Sequence, residues 1–233
     1  MKPSIAPALS CLPLNSSLPL STELIAGAVL IERGSESIRA VTANEPNRFT
    51  RAFEALNRLA HAEGIPLALV GGLAAIHFGY PAITEDIDLV VAKDDLERLL
   101  ADAPHYGFKT KWRSATGWHT LAFEDVEINI VPEGRKARDS SPTTIPGPRA
   151  LGVVVGLSYS DLAGWIELKL SSARAKDRTH VVEVLKTLSD DQIVEIRQKI
   201  ASVHAQYAAL LDQLITDADE EKRQEHERGR QRE

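Results

Sequence analysis

The sequence has almost no cysteine, no long apolar run and no excess of positive charge. Its one cysteine, Cys11, excludes an intramolecular disulfide framework and a cysteine-based zinc cluster, as is typical of proteins from a reducing compartment. We therefore expect a cytoplasmic location. No apolar run reaches the roughly 20 residues that cross a bilayer. Pro3, Pro7, Pro13 and Pro19 interrupt the apolar segment that a signal peptide needs, so we expect no membrane partner.

Overall charge and composition indicate an ordinary globular protein. A net charge of -6 over 233 residues argues against a chain that coats nucleic acid by charge alone, although a local basic patch can still bind a phosphate-rich substrate. Hydrophobic residues make up 43% of the chain and charged residues 26%. We predict a loosely ordered arm over 1–45, a core over 46–160, a helical region over 161–218 and a charged tail over 219–233.

Apolar periodicity predicts alternating helices and strands in the core. We predict helices over 47–64, 73–78, 93–101, 162–175 and 179–188, and strands over 66–70, 87–91, 119–123 and 126–131. From Asp190 onward we predict one long amphipathic helix, whose apolar stripe covers either the protein's own core or a partner. In the predicted loop 132–147, Arg135, Lys136 and Arg138 either attract a polyanion or are simply solvated.

Two aspartates interrupt the second predicted strand. Successive side chains of a strand point to opposite faces, so Asp86 and Asp88 share one face while Ile87 and Leu89 point into the core. Two carboxylates this close repel each other unless a positive group lies between them. A divalent cation held by hard oxygen ligands, Mg²⁺ or alternatively Mn²⁺, resolves the repulsion. We therefore predict a metal site at Asp86 and Asp88.

A third carboxylate on a later strand completes the predicted metal site. Glu127 lies in the same apolar-acid-apolar pattern as the aspartates, and it converges with them if the two strands are neighbours. Asp125 is the alternative third ligand, because sequence sets the strand register only to within a residue or two. We prefer Glu127 for its apolar flanks.

Paired glycines lie before the aspartates, with a short predicted helix between. Gly71 and Gly72 make a turn without side chains, which lets backbone N–H groups approach a phosphate at the start of that helix. A Gly-Gly turn or an acid-x-acid strand alone is common in purely structural contexts. The combination favours a site where a phosphate and a metal meet.

These motifs resemble those of a known family. Gly71 and Gly72 followed by TEDIDL (84–89) resemble the signature of the nucleotidyltransferase superfamily, which has the DNA polymerase β-like fold. IELKLSSAR (166–174) followed by KDR (176–178) is similar to the C-terminal motif of AbiEii-type and related uncharacterised bacterial nucleotidyltransferases. The resemblance covers about residues 65–190. It implies an α/β (α+β) fold, with a small mixed sheet flanked by helices and a helical C-terminal region.

The resemblance also implies roles for residues outside the acidic cluster. It links Lys169 to nucleotide binding, and it links an acid at Asp177 to activity, either by positioning the lysine or by accepting a proton. Arg174 either assists with phosphate or lies exposed, and Thr84 either caps the turn or touches phosphate. The family commonly has an acid where this chain has His180. That histidine is either a substitute proton acceptor or a surface residue.

The activity implied by the resemblance is Mg²⁺-dependent transfer of a nucleoside monophosphate from an NTP, ATP among them, to an acceptor hydroxyl. The acceptor is either tRNA, modified by a toxin that an antitoxin protein restrains, or a small hydroxylated molecule such as an antibiotic. An alternative from a different class is a non-catalytic interaction module with the same fold. Binding of NTPs separates an enzyme from such a module.

Overall fold

The computed structural model describes residues 48–80 and 84–231, so the arm predicted over 1–45 lies outside the described residues. Within the described residues the chain forms a six-stranded mixed sheet, seven α-helices and one short 3-10 helix. The predicted fold class, a mixed α/β sheet flanked by helices with a helical C-terminal region, is confirmed.

Helices and strands alternate up to the second strand, the four remaining strands follow one another from residue 109 to residue 159, and only helices come after them. The helices are α1 (Arg48–Ala62), α2 (Gly71–His77), α3 (Leu96–Asp102), α4 (Leu162–Ser172), α5 (Ala175–Leu185), α6 (Asp190–Val203) and α7 (Ala205–Arg230). The strands are β1 (Leu67–Leu69), β2 (Asp86–Val91), β3 (Lys109–Arg113), β4 (His119–Phe123), β5 (Val126–Pro132) and β6 (Leu157–Tyr159). The 3-10 helix spans Ala103–Tyr106.

The sheet places the two acid-bearing strands side by side. Its strand order is β3-β4-β5-β2-β1-β6, in which β2 is parallel to β5 and β1 is parallel to β6, while the other neighbours are antiparallel. The register pairs Asp86 with Glu127 and Asp88 with Asn129. The condition that the two acidic strands be neighbours is therefore met.

The two faces of the central strands differ because side chains alternate along each strand. On one face, Ile87 and Leu89 of β2 and Ile128 and Ile130 of β5 pack with α1 and α3, and none of the four is more than 1% exposed. The predicted inward direction of Ile87 and Leu89 is confirmed. The opposite face carries the polar side chains of both strands and, beside them, a smaller apolar cluster that includes Val90.

The helix predicted over 162–175 is wrong at its C-terminal end. α4 ends at Ser172, because Ala173 takes a left-handed conformation with φ 49° and Arg174 is extended with ψ 152°. A new helix, α5, then begins at Ala175, four residues before the start predicted at 179. Neither Gly nor Pro marks the break, so apolar periodicity alone does not detect it.

The single helix predicted from Asp190 onward is also wrong, because the chain forms two helices there. His204 is extended, with φ -163° and ψ 137°, and its Nδ1 accepts a hydrogen bond from the Gln206 N–H at 3.2 Å, which caps α7. α6 and α7 are joined by an ion pair between Arg197 and Asp212 at 2.8 Å. The apolar stripe joins the core of the helical region through Ile196, Ile200, Tyr207, Leu211 and Leu214. Of the two predicted roles, it covers the protein's own core.

The charged tail predicted from residue 219 is helical through Arg230. Lys186, which caps the C-terminal end of α5, forms ion pairs with Glu221 at 3.3 Å and Glu225 at 2.6 Å, which tie this part of α7 to the end of α5. Over 48–80 and 84–231, none of the helices combines the length and the apolar character that a membrane span requires.

Candidate functional site

The predicted acidic pair lies on the face of the sheet turned away from α1 and α3. Asp86 and Asp88 project from this face, and Ile87 between them is fully buried on the other. The side-chain Nδ2 of Asn129 donates hydrogen bonds to Oδ2 of Asp86 at 2.9 Å and to Oδ1 of Asp88 at 3.1 Å. Oxygens from the two carboxylates therefore converge on one point.

The acidic pair keeps negative charge that its neighbours do not neutralise. Burial and the charge of Asp86 raise the pKa of Asp88 to about 6, although the hydrogen bond from Asn129 and the charges of Lys169 and Arg174 act in the opposite direction. A bound cation relieves such repulsion. Mg²⁺ is commonly held by one or two carboxylates together with water and substrate phosphates, so the two converging aspartates fit a hard divalent cation.

The predicted third ligand, Glu127, lies on the same face but is engaged elsewhere. It is the register partner of Asp86, and its carboxylate forms an ion pair with Lys111 of β3. Among the residues described, no three His, Cys, Asp or Glu side chains are grouped so that they could hold a metal. The alternative ligand, Asp125, lies between β4 and β5 and pairs with Arg48 at 2.6 Å. The structure brings the aspartates together but does not bring Glu127 to them. The role of Glu127 as a ligand stays a prediction.

The residue that contacts both aspartates, Asn129, is absent from the sequence-based site. The Thr120 hydroxyl donates to its Oδ1 at 3.3 Å, which directs the amide nitrogen toward the carboxylates. The same strand alternation that selects Glu127 also selects Asn129, two residues farther along β5. A pattern that predicts a third carboxylate does not select it, because its side chain is an amide.

Gly71 and Gly72 allow α2 to approach the aspartates closely. Gly71 has φ 67°, and a Cβ there would overlap the carboxylate of Asp88. A Cβ at Gly72 would lie 2.9 Å from Oγ1 of Thr84, whose hydroxyl is 3.1 Å from both the carbonyl oxygen and Oδ1 of Asp86. Glycine is thus required here to make room for Asp88 and Thr84. The phosphate contact of the glycines and of Thr84 stays a prediction.

Lys169 and Asp177 form a buried ion pair between α4 and α5. Lys169 Nζ donates to Oδ1 of Asp177 at 2.9 Å, and Asp177 is fully buried. Oδ2 of Asp177 accepts from Arg174 Nε at 2.6 Å and from the Ser172 hydroxyl. Burial raises the pKa of Asp177, but the hydrogen bonds from Arg174 and Ser172 and the charge of Lys169 outweigh it and lower the pKa to about 2. An acid so well supplied with donors suits the positioning role better than the proton-accepting role.

His180 lies beside this ion pair. Its Nδ1 is 3.4 Å from Lys169 Nζ, and its ring centroid is 5.1 Å from that of Tyr80. Burial and the charge of Lys169 lower the pKa of His180, which favours the neutral ring. A neutral ring nitrogen can accept a hydrogen bond from Lys169. Of the two predicted alternatives, the half-buried position beside Lys169 disfavours the surface residue, and the role of proton acceptor stays a prediction.

A cavity of about 430 Å³ is lined by one member of each pair, Asp88 and Lys169. Asp88 and Asn129 line it from the sheet, and Lys169 and Arg174 line it from the helical side. Arg138, from the predicted basic loop, also lines the cavity and donates to the Ser172 carbonyl oxygen at 3.0 Å. A cavity lined by one carboxylate and three cationic side chains suits a ligand that carries both a cation and phosphates.

The chain has distant structural similarity to nucleotidyltransferases, and no family model or curated protein matches it. It is similar to the antibiotic-resistance factor ANT(2'')-Ia, with 13% identity and a TM-score of 0.39 over 77% of this chain and 98% of that one. It is similar to the Thermotoga maritima CCA-adding enzyme complexed with tRNA, with 17% identity and a TM-score of 0.33 over 75% of this chain and 44% of that one. A third similarity is to terminal uridylyl transferase 4 from Trypanosoma brucei with bound GTP, with 10% identity and a TM-score of 0.32 over 82% of this chain and 55% of that one. Similarity at this level does not establish a shared activity.

Proposed function

We propose that the protein is a nucleotidyltransferase that moves a nucleoside monophosphate from an NTP to an acceptor hydroxyl. One observation carries the proposal: Asp88, which shares the Asn129 amide with Asp86, lines a cavity that Lys169 and Arg174 also line. In this reaction the acceptor oxygen bonds to the α-phosphorus, the bond from that phosphorus to the bridging oxygen breaks, and pyrophosphate leaves. The resemblance of the motifs to those of the nucleotidyltransferase superfamily supports the same class.

Asp86 and Asp88 are the proposed ligands of Mg²⁺, with Mn²⁺ as the alternative. The chemistry that the ion supplies when bound is neutralisation of triphosphate charge and polarisation of the phosphoryl oxygens. Lys169 and Arg174 balance the remaining phosphate charge, and Asp177 holds both of them in place through its two oxygens. We propose that Glu127, once released from Lys111, completes the metal site and takes the proton of the attacking hydroxyl.

The proposal is tested by transfer of label from an α-³²P-labelled NTP to candidate acceptors. We expect labelling by the wild-type protein with Mg²⁺, no labelling by Asp88→Asn, and full labelling by Asp94→Asn. Asp94 is an exposed aspartate that follows β2, so its replacement removes the same charge away from the cavity. Undiminished labelling by Asp88→Asn would reject the assignment.

For the acceptor we propose tRNA, in a cytoplasmic toxin that an antitoxin protein restrains, because the motif around Lys169 resembles that of AbiEii-type proteins. A small hydroxylated antibiotic is the alternative acceptor. Expression in a bacterial host separates the two. Growth arrest that requires Asp88 supports the toxin, whereas harmless expression with antibiotic resistance supports the alternative.

A second candidate function is a nucleotide-binding module without catalysis, and the position of Asn129 favours it. Its amide occupies the point at which the two aspartates converge, where a third carboxylate would give a stronger cation site. Isothermal titration with MgATP and the other NTPs, run beside the labelling assay, separates the candidates. Binding without transfer supports the module, and transfer gained in Asn129→Asp would identify the amide as the reason.

A further inference from the structure

The three tryptophans of the chain all line the cavity but are exposed to different degrees. Trp165 is fully buried, and its Nε1 donates to the Gly71 carbonyl oxygen at 3.1 Å, so it supports the glycine turn. Trp118 is half-buried and lines the cavity, where it packs against the small apolar cluster on the same face of the sheet. Trp112 is 53% exposed although it lines the same cavity as Asp88 and Lys169. Its large apolar ring is therefore available to a ligand in that cavity.

A β-bulge turns Trp112 toward the cavity. The register of β3 and β4 pairs Thr110 with Leu121 and then shifts, so that Trp112 pairs with Thr120. Regular alternation would place Thr110 and Trp112 on the same face, together with the buried Leu121. The extra residue, Lys111, lets Trp112 share the face of Thr120 instead. Bulges commonly re-aim a side chain next to a functional site.

Trp112 lies in one row with Asp88 across four strands. Trp112 pairs with Thr120, Thr120 pairs with Asn129, and Asn129 pairs with Asp88. Strands are spaced by about 4.8 Å, so three spacings set Trp112 about 14 Å along the sheet from Asp88. The long indole ring shortens that gap. A nucleotide whose phosphates are held at Asp88 and Lys169 can extend its base toward Trp112.

We propose that Trp112 is a stacking platform for a nucleobase. The inference rests on the proposed function, and the base belongs either to the NTP or to an RNA acceptor. Stacking suits this position because the ring is exposed, while cationic groups of Lys169, Arg174 and Arg138 line the same cavity for the phosphates. Aromatic faces take bases of any identity, so Trp112 contributes affinity more than base selection.

The test compares ligands with and without a base. Affinities of wild-type protein and Trp112→Ala are measured for MgATP and for magnesium tripolyphosphate by isothermal titration, and for a single-stranded oligoadenylate by fluorescence anisotropy. Stacking is worth about 1–3 kcal/mol per base, so Trp112→Ala should bind the base-containing ligand at least about 5-fold more weakly. Its affinity for tripolyphosphate should not change, and Trp112→Phe should restore most of the loss. Val194→Ala, which removes an apolar side chain 51% exposed on α6, is the control and should bind as wild type does.

The pattern of loss identifies the source of the base. Weaker binding of MgATP assigns the platform to the NTP, and weaker binding of oligoadenylate alone assigns it to the acceptor. Unchanged affinity of Trp112→Ala for both overturns the inference and leaves the proposed function standing. A wild-type protein that binds neither ligand overturns both.

Discussion

The acidic groups on the two sides of the cavity are compensated to opposite degrees. Asp177 is fully buried, accepts from three side chains and has a pKa lowered to about 2. Asp88 faces a second carboxylate, accepts from the neutral amide of Asn129 and has a pKa raised to about 6. The helical side therefore holds a completed ion pair, whereas the sheet side holds charge that a ligand can complete. Incomplete compensation distinguishes a binding site from a structural contact.

The ion pair on the helical side, between Asp177 and Lys169, should contribute more to the free energy of unfolding than the acidic pair does. Asp177→Ala leaves Lys169 buried without its charge partner, so we expect the free energy of unfolding to fall by about 3–5 kcal/mol. Denaturant unfolding measures the loss. Asp139→Ala, at an exposed loop position, is the control and should change stability by less than about 0.5 kcal/mol. A loss below about 1 kcal/mol in Asp177→Ala would contradict the structural role of the pair.

Close packing of the glycine turn on Asp88 can be separated from backbone strain. Gly71 and Gly64 both have left-handed φ, 67° and 63°, but a Cβ at Gly64 meets no atom within 4 Å whereas one at Gly71 overlaps Asp88. Both alanine substitutions incur the left-handed strain of about 1–2 kcal/mol. Gly71→Ala should lose about 1–3 kcal/mol more from overpacking. Equal losses by thermal and denaturant unfolding would show that the approach to Asp88 is not tight.

The free energy of unfolding at acid pH should depend on the ion pair between Asp177 and Lys169. The pKa of Asp177 falls from an ordinary 3.8 to about 2 on folding, so its contribution is present above pH 4 and is lost as the pH falls toward 2. We expect a contribution of about 2 kcal/mol at pH 7, of which about half is lost by pH 3. The difference in unfolding free energy between wild type and Asp177→Asn measures it. A difference that does not depend on pH over this range would contradict the assignment.

The charge of Asp88, on the sheet side of the cavity, should destabilise the folded protein when no ligand is bound. In the presence of EDTA at pH 7.5, Asp88→Asn removes the repulsion from Asp86 and keeps an oxygen that can accept from Asn129. We expect the free energy of unfolding to rise by about 1–2 kcal/mol. Asp94→Asn provides the matched loss of charge and should have no such effect. A less stable Asp88→Asn protein would contradict this and would show that the charge of Asp88, like that of Asp177, is compensated by its neighbours.

Sequence reasoning predicted the strand side of the site better than the helical side. Strand alternation correctly placed Asp86 and Asp88 on one face and Ile87 on the other, because that rule needs only the chain direction. It did not predict the parallel pairing that sets Asn129 against Asp88, since register depends on contacts distant in sequence. The three donors around Asp177 depend on the helix break at Ala173, which no Gly or Pro signals.

The strand that carries Trp112 was missed for a different reason. β3 has the sequence KTKWR, and all five residues are exposed at the edge of the sheet. An edge strand with mostly charged side chains lacks the apolar alternation by which strands are recognised. Its pairing to β4, and hence the bulge that aims Trp112, exists only in the folded chain.

The central claim is that Asp86 and Asp88 hold a divalent cation beside a nucleotide's phosphates. The most direct measurement is the change in melting temperature that MgATP produces in wild type, Asp88→Asn and Asp94→Asn. We expect an equal rise in wild type and Asp94→Asn, no rise in Asp88→Asn, and no rise in any of them when EDTA replaces Mg²⁺. An equal rise in Asp88→Asn, or no rise in the wild-type protein, would contradict the claim.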